Sequence, residues 1–341
     1  MTPAILEVDG LYTYIATGDG VVRAVDGISF GLGKGEILGL VGESGSGKSV
    51  TCRTIAGLMP SPPAGWVGQV RYAGYPGRNL LDLRPAEQQR VRGAHISMIF
   101  QDPMSALNPV MRVGDQIEEA VGAHARLSRR DQRRRAIALL DRVGIPAPAR
   151  RLRSYPHEFS GGMRQRVLIA AAIASSPRIL LADEPTTALD VIIQDQILSL
   201  LLELQRDSGM SMILVSHDLG VIAEMCDRIA VMYGGQIVEL TDARTLLTEP
   251  RHPYTISLLR SLPDAERKTK YLQSIPGTPP RLVDVQPGCR FVTRCPLATP
   301  ECRTWETELL ATAGGAHLVR CRRHDVARRP EAWPQQSYES E

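Results

Sequence analysis

The chain has 341 residues, 43% of them hydrophobic and 23% charged, with a formal net charge of +3. It has length for about two domains, the balance of a globular protein, and too little positive charge to argue for a nucleic-acid partner. No stretch approaches the roughly 18 uninterrupted apolar residues of a membrane span, and the start "MTPAILEVDGLYTYI" lacks the basic end, apolar run and cleavage site of an export signal. The expected location is the cytosol, where thiols stay reduced and cysteines serve as metal ligands or idle thiols more than as disulfides.

Residues 5–40 read as a β-rich start that ends in the apolar run "EILGLV" (36–41). The octet "GESGSGKS" (42–49) then fits G-x-x-x-x-G-K-[ST] at every fixed position, and "SVTCRTIAGLM" (49–59) reads as the helix that follows. A strand, a glycine loop and a helix are the context a phosphate-binding loop needs. Gly42, Gly45 and Gly47 would turn backbone N–H groups inward, Lys48 would neutralise the β- and γ-phosphates, and Ser49 would offer its hydroxyl to Mg2+. Glu43, Ser44, Ser46 and Val50 complete the expected ATP-binding set. A mostly helical, arginine-rich insert follows at about 103–160, in which "RLSRRDQRRR" (126–135) reads as a solvated helix face.

Ser160, Gly161 and Gly162 open the long helical segment within "YPHEFSGGMRQRVLIAAAIASSP" (155–177). At a helix N-terminus they would make either an ordinary cap or a second phosphate grip, and the grip would most economically serve the nucleotide of another copy or a homologous partner. In "RILLADEP" (178–185) four apolar residues precede two carboxylates, the pattern of a buried parallel strand opening onto the phosphates. Asp183 would hold Mg2+ and Glu184 would orient and polarise the attacking water as general base. Strands near 211–215 and 228–239 complete a three-layer α/β core, with Cys52 and Cys226 as packing residues.

Past about residue 250 the chain turns proline-rich, as in "IPGTPPRLVDVQPGC", and has too little apolar content to build a core unaided. It is expected to dock on the main domain or to be stapled. Cys289, Cys295, Cys302 and Cys321 follow C-x5-C-x6-C-x18-C, which matches neither the usual close zinc chelate nor the tight ferredoxin run. Spacing leaves the metal open; four thiols without a closely paired histidine are compatible with a four-iron cluster.

In their order these motifs resemble the ATP-binding subunit of an ABC transporter over residues 5–325: the glycine loop, "QDP" with Gln101, "FSGGM", "ADEP", "TALD" with Asp190 and "SHD" with His217. More narrowly, "MIFQDPMSALNPVMRVGDQI" (98–117), "HPYTISLLRSLP" (252–263) and the tail "GCRFVTRCPLATPECR" are similar to the dipeptide, oligopeptide and nickel importer subgroup. The resemblance implies an ABC-type nucleotide-binding domain at 1–250, with an N-terminal antiparallel β subdomain and an inserted helical subdomain. A C-terminal extension at 251–341 would follow, its Cys-rich part (287–325) carrying a 4Fe-4S cluster ahead of Zn2+. It further implies that Gln101 contacts Mg2+ and the water, that His217 contacts the γ-phosphate, and that Asp190 lies between two nucleotide domains. An aromatic from the first strand stacks on adenine in this family; Tyr14 is the candidate, with Tyr12 near and Ile15 at the ungapped position. Phe159 and Met163 depart from the general LSGGQ signature in a way the subgroup tolerates.

The implied function is ATP hydrolysis that drives peptide uptake. The implied partners are two transmembrane permease subunits, a second and distinct ABC ATPase subunit, and an extracytoplasmic substrate-binding protein, with this chain peripheral on the cytoplasmic face of the inner membrane. Nickel or another small solute is the alternative cargo. A soluble ABC ATPase of repair or translation is a further alternative, against which stand the lack of a second glycine loop and of a long coiled-coil insertion.

Overall fold

Eleven strands are seen among the described residues: β1 (Ala4–Thr17), β2 (Gly20–Gly33), β3 (Ile37–Val41), β4 (Ala64–Tyr72), β5 (Ile96–Ile99), β6 (Ile179–Asp183), β7 (Ser211–Ser216), β8 (Arg228–Tyr233), β9 (Gln236–Asp242), β10 (Leu310–Ala311) and β11 (Leu318–Val319). The computed structural model describes residues 4–187, 189–261, 274–306, 308–312, 315–329, 331 and 333. Ala188 of "TALD" and the last two residues of the 252–263 stretch lie outside these.

β1 pairs antiparallel with β2 on one edge and with β4 on the other, giving a three-stranded sheet in the order β2-β1-β4. The second sheet has eight strands in the order β10-β11-β9-β8-β3-β7-β6-β5, and its β8, β3, β7, β6 and β5 run parallel. Every residue of β3, β6 and β7 is buried. Alternate residues divide between two cores: Leu180, Ala182, Met212 and Leu214 join the one that includes the helical insert, whereas Ile179, Leu181, Ile213 and Val215 join the one under the three-stranded sheet. Parallel strands covered on both faces read as unbroken apolar runs, so these segments are conspicuous in the sequence.

The insert between β5 and β6 holds the helices Val113–Gly122, Arg129–Arg142 and Gly161–Ala172. Ser128 Oγ accepts the Asp131 N–H at 3.2 Å and caps the arginine-rich helix. That helix buries Ala136, Leu139 and Leu140 and leaves Arg129, Arg130, Arg133, Arg134 and Arg135 exposed, a solvated face.

Two expectations need correction. The single strand read near 228–239 is a hairpin, because Gly234 and Gly235 take φ of +56° and +81° and reverse the chain between Tyr233 and Gln236. Two consecutive left-handed residues suit the twist of a tight hairpin, and glycine adopts them without a steric cost. The chain past residue 250 also does more than dock. β11 pairs antiparallel with β9, Leu318 opposite Leu240, and so covers what would be an open sheet edge. Glu239 on β9 is fully buried and satisfied by that same part of the chain: it accepts the N–H groups of Arg251 and His252 at 2.7 and 2.8 Å and lies 2.7 Å from His317 Nε2. Among the described residues no helix is long and apolar enough to cross a membrane.

Candidate nucleotide-binding site

β3 ends at Val41 and the helix Lys48–Ile55 begins seven residues later, so residues 42–49 form the turn between a buried strand and a helix N-terminus. Gly42 and Gly47 hold φ of +150° and +103°, and a Cβ there would run into the carbonyl oxygens of Met232 and Ala24 respectively. The close-packed loop therefore tolerates only glycine at both places. Lys48 is buried; its Nζ donates to the carbonyls of Gly42 at 2.6 Å and Glu43 at 3.0 Å and lies 4.0 Å from Glu184 Oε1. Burial lowers the Lys48 ammonium from its usual value, opposed by the charges of Glu184, Asp183 and Glu43.

Asp183 and Glu184 stand at the end of β6. Ser49 Oγ donates to Asp183 Oδ1 at 2.7 Å, while Asp183 Oδ2 is buried without a partner. Burial raises the Asp183 carboxyl above its usual range, against the Ser49 hydrogen bond. A buried carboxylate oxygen left open beside a serine hydroxyl is a hard, oxygen-only donor set that fits Mg2+. Glu184, at φ +44°, accepts Gln101 Nε2 at 3.1 Å and Thr187 Oγ1 at 2.8 Å on Oε2, and His217 Nδ1 lies 3.5 Å from the same oxygen. A carboxylate held from three sides at the mouth of a cationic loop can orient a water toward a phosphoryl group.

The cavity over the loop has a volume of about 280 Å3, opens to solvent, and is lined by Ser44 to Val50, Gln101, Glu184 and an apolar flank of Val22, Ala24 and Leu282. Several expected residues do not line it. Tyr14 stacks on Tyr12, with ring centroids 6.2 Å apart, and neither ring lines the cavity. Glu43 turns its carboxylate away to Arg294 at 2.7 Å. Ser160 is exposed and caps the helix Gly161–Ala172 by accepting the Met163 N–H at 3.3 Å, with Gly161 exposed beside it. Asp190, also exposed, caps Val191–Ser208 by accepting the Ile193 N–H at 3.1 Å. Neither cap residue lines the chain's own loop pocket. Thr187, Val22, Ala24 and Leu282 escape sequence reasoning; the hydroxyl three residues beyond Glu184 is the one visible signal.

Cys289, Cys295, Cys302 and Cys321 line one cavity together with His252, Phe291 and Leu297. Burial pushes the Cys295 and Cys321 thiols up to about 12 and raises Cys289 as well, so these sulfurs hold their protons unless a cation offsets the burial. Among the described residues no group of three or more His, Cys, Asp or Glu side chains could hold a metal ion. The expected metal centre is corrected to this extent: the extension gathers the four thiols around one space, but as placed they form no coordination sphere.

Loop, helix, paired carboxylates and two-faced parallel sheet define a P-loop nucleotide-binding domain. Residues 25–187 match the family model described as ABC transporter, and residues 238–302 match that of the oligopeptide/dipeptide transporter C-terminal region. The chain is 47% identical over 318 residues to the dipeptide transport ATP-binding protein DppD of Bacillus subtilis, covering 93% of this chain and 94% of that one. It is 50% identical over 292 residues to the oligopeptide transport ATP-binding protein OppD of the same organism, covering 85% and 81%. Among solved structures, the dimeric ATP-binding cassette MJ0796 bound to ADP and Pi aligns with a TM-score of 0.62 at 28% identity, over 70% of this chain and 99% of that one. The chain belongs to the ATP-binding subunits of ABC transporters, in the branch that carries the oligopeptide/dipeptide transporter C-terminal region.

Proposed function

We propose that this chain is the ATP-hydrolysing subunit of a peptide importer and that the pocket over residues 44–50 takes MgATP. Names of relatives and the C-terminal region match support peptides as the cargo over nickel or another solute, and over a repair or translation ATPase. One observation carries the chemistry: Glu184 is gripped by Gln101 and Thr187, with His217 at 3.5 Å, in the same pocket as Lys48 and Ser49.

In this reading Glu184 holds the attacking water and takes its proton, and His217 and Gln101 fix the geometry at the γ-phosphate. Lys48 releases its hold on loop carbonyls and turns to the phosphates, whose charge compensates its burial. Ser49, Asp183 and Gln101 would hold Mg2+, which when bound offsets charge on the phosphoryl oxygens. Ser160 and Gly161, exposed, and the half-buried Gly162 do not line this pocket and would complete the site of an opposing ATPase subunit. Asp190 and the exposed Val191 and Ile192 beside it, 80% and 72% accessible, suit the contact between the two. That second subunit is a distinct relative, the pair drives two permease subunits fed by an extracytoplasmic binding protein, and the chain sits on the cytoplasmic face of the membrane.

For the cysteines the supporting observation is narrower: the four residues line one cavity. We read this as the seat of a 4Fe-4S cluster, or else Zn2+, once the side chains turn inward. Iron, acid-labile sulfide and zinc measured per chain on anaerobically purified protein decide it, and none of the three removes the metal reading.

The test of the ATPase reading is Glu184→Gln in the complex reconstituted with its permeases. MgATP binding should persist while hydrolysis and peptide uptake fall by about 10^2- to 10^4-fold. Turnover at the wild-type rate would remove Glu184 from the base role.

A further inference from the structure

The C-terminal extension reaches the nucleotide pocket itself at one point and the phosphate loop that forms its floor at another. At the first, the Leu282 carbonyl accepts the Arg23 N–H of β2 at 2.8 Å, Val283 bridges to Val22, and Leu282 closes the pocket beside Val22 and Ala24. At the second, the guanidinium of Arg294 lies on the Glu43 carboxylate, Nη1 to Oε2 at 2.7 Å and Nη2 to Oε1 at 3.1 Å. Arg294 is itself held: Nε donates to the Pro276 carbonyl at 2.8 Å, Nη2 also to that of Ile275 at 3.2 Å, and Nη1 to the Tyr233 hydroxyl at 3.2 Å. Between the two points Arg290 grips Asp26 on β2 at 2.5 Å. The backbone of Glu43 is fixed as well, its N–H donating to the Tyr254 hydroxyl at 2.9 Å.

We propose that residues 282–294 are a working part of the nucleotide site, with Leu282 an apolar wall for the nucleoside half of ATP and Arg294 a positioning residue that sets the phosphate loop through Glu43. The inference rests on the reading of the pocket as the MgATP site. Glu43 is the second residue of a loop whose amides must converge on a triphosphate. Left unpaired, its carboxylate would place negative charge near an incoming polyanion. A two-pronged guanidinium both cancels that charge and fixes the direction of the side chain, which a lysine ammonium cannot do. On the other flank, among the described residues no aromatic side chain lines the cavity, so the apolar surface offered to base and sugar is Val22, Ala24 and Leu282.

Calorimetric titration of the full chain with MgATP and with magnesium tripolyphosphate, which has no nucleoside, separates the two roles. Arg294→Ala should weaken both ligands by about tenfold, and Arg294→Lys should not restore them. Leu282→Ala should weaken MgATP by about fivefold and leave tripolyphosphate unchanged. Glu43→Asp, which keeps the charge but draws it back from the fork, should reproduce the Arg294→Ala loss, and the double variant should lose no more than either single one. Wild-type affinity in Arg294→Ala, or additive losses in the double variant, would overturn the positioning role; an equal loss of both ligands in Leu282→Ala would overturn the wall. If Arg294→Ala does not fold, Glu43→Asp carries the test alone, and unchanged affinity for both ligands then overturns the proposal. Failure of the unaltered chain to bind MgATP is a different result, which sinks the nucleotide reading itself.

Discussion

Asp183 shows at the scale of one residue how a site is bought with stability. Its Oδ2 is buried without a partner and burial raises its carboxyl above the usual range. For an acid raised in this way, the contribution to stability is favourable below the unfolded value and is lost as pH rises through the folded one, so near pH 7 the carboxylate destabilises the empty chain. Asp183→Asn should therefore raise the melting temperature of the nucleotide-free protein by a few degrees while abolishing the further rise that MgATP gives. Thermal scans with and without MgATP check both halves; a lower melting temperature for the nucleotide-free variant would mean that the Ser49 hydrogen bond outweighs the burial. Lys48, Ser49, Asp183 and Glu184 were legible in the sequence because a glycine loop and an apolar strand ending in acids each dictate local geometry. Which side chain of β1 faces the cavity was not, since that depends on register: β1 and β2 shift register between Thr13 and Tyr14.

Among the elements, the helix Gly161–Ala172 illustrates what a motif does before any ligand arrives. Ser160 caps it, and a Cβ at Gly162 would stand 2.7 Å from Ile193 Cγ2 on the helix Val191–Ser208. Glycine at this position lets the two capped helix starts approach, so Ser160 and Asp190 are held on neighbouring elements. Gly162→Val should force the helices apart and cost about 2 kcal/mol, read as a lower denaturant midpoint at unchanged slope. A midpoint equal to that of the wild type would show that Ile193 simply turns aside. The strand-and-helix pattern of this half was readable from apolar runs and cap residues. The hairpin at Gly234–Gly235 was merged into one strand because two apolar runs flank a turn of only two residues.

Across the whole molecule, the extension is stitched to the core by buried polar groups as much as by apolar contact. His252 is buried beside Glu239, with Phe291 tilted against its ring and its Nδ1 accepting the Tyr254 N–H at 3.0 Å. Burial lowers the imidazole from 6.5 to about 4, although Glu239 favours its charge. Because the folded chain refuses a proton that the unfolded chain accepts, stability is present above pH 6.5 and is lost as pH falls toward 4. The loss from this group alone is on the order of 3 kcal/mol. Chemical denaturation between pH 7 and 4 should show that slope, and His252→Asn, which keeps an acceptor for the Tyr254 N–H, should flatten it; an unchanged slope would assign the loss to other groups. By itself the sequence determined the phosphate loop, the acid-ended strand, the solvated arginine face and the family, because each is a short-range pattern whose spacing carries its own geometry. Only the tertiary structure decided that β11 closes the edge of β9, that four distant cysteines share one cavity, and that Arg294 meets Glu43. Those contacts join residues as much as 251 positions apart, and pairing at that separation is set by how finished elements pack.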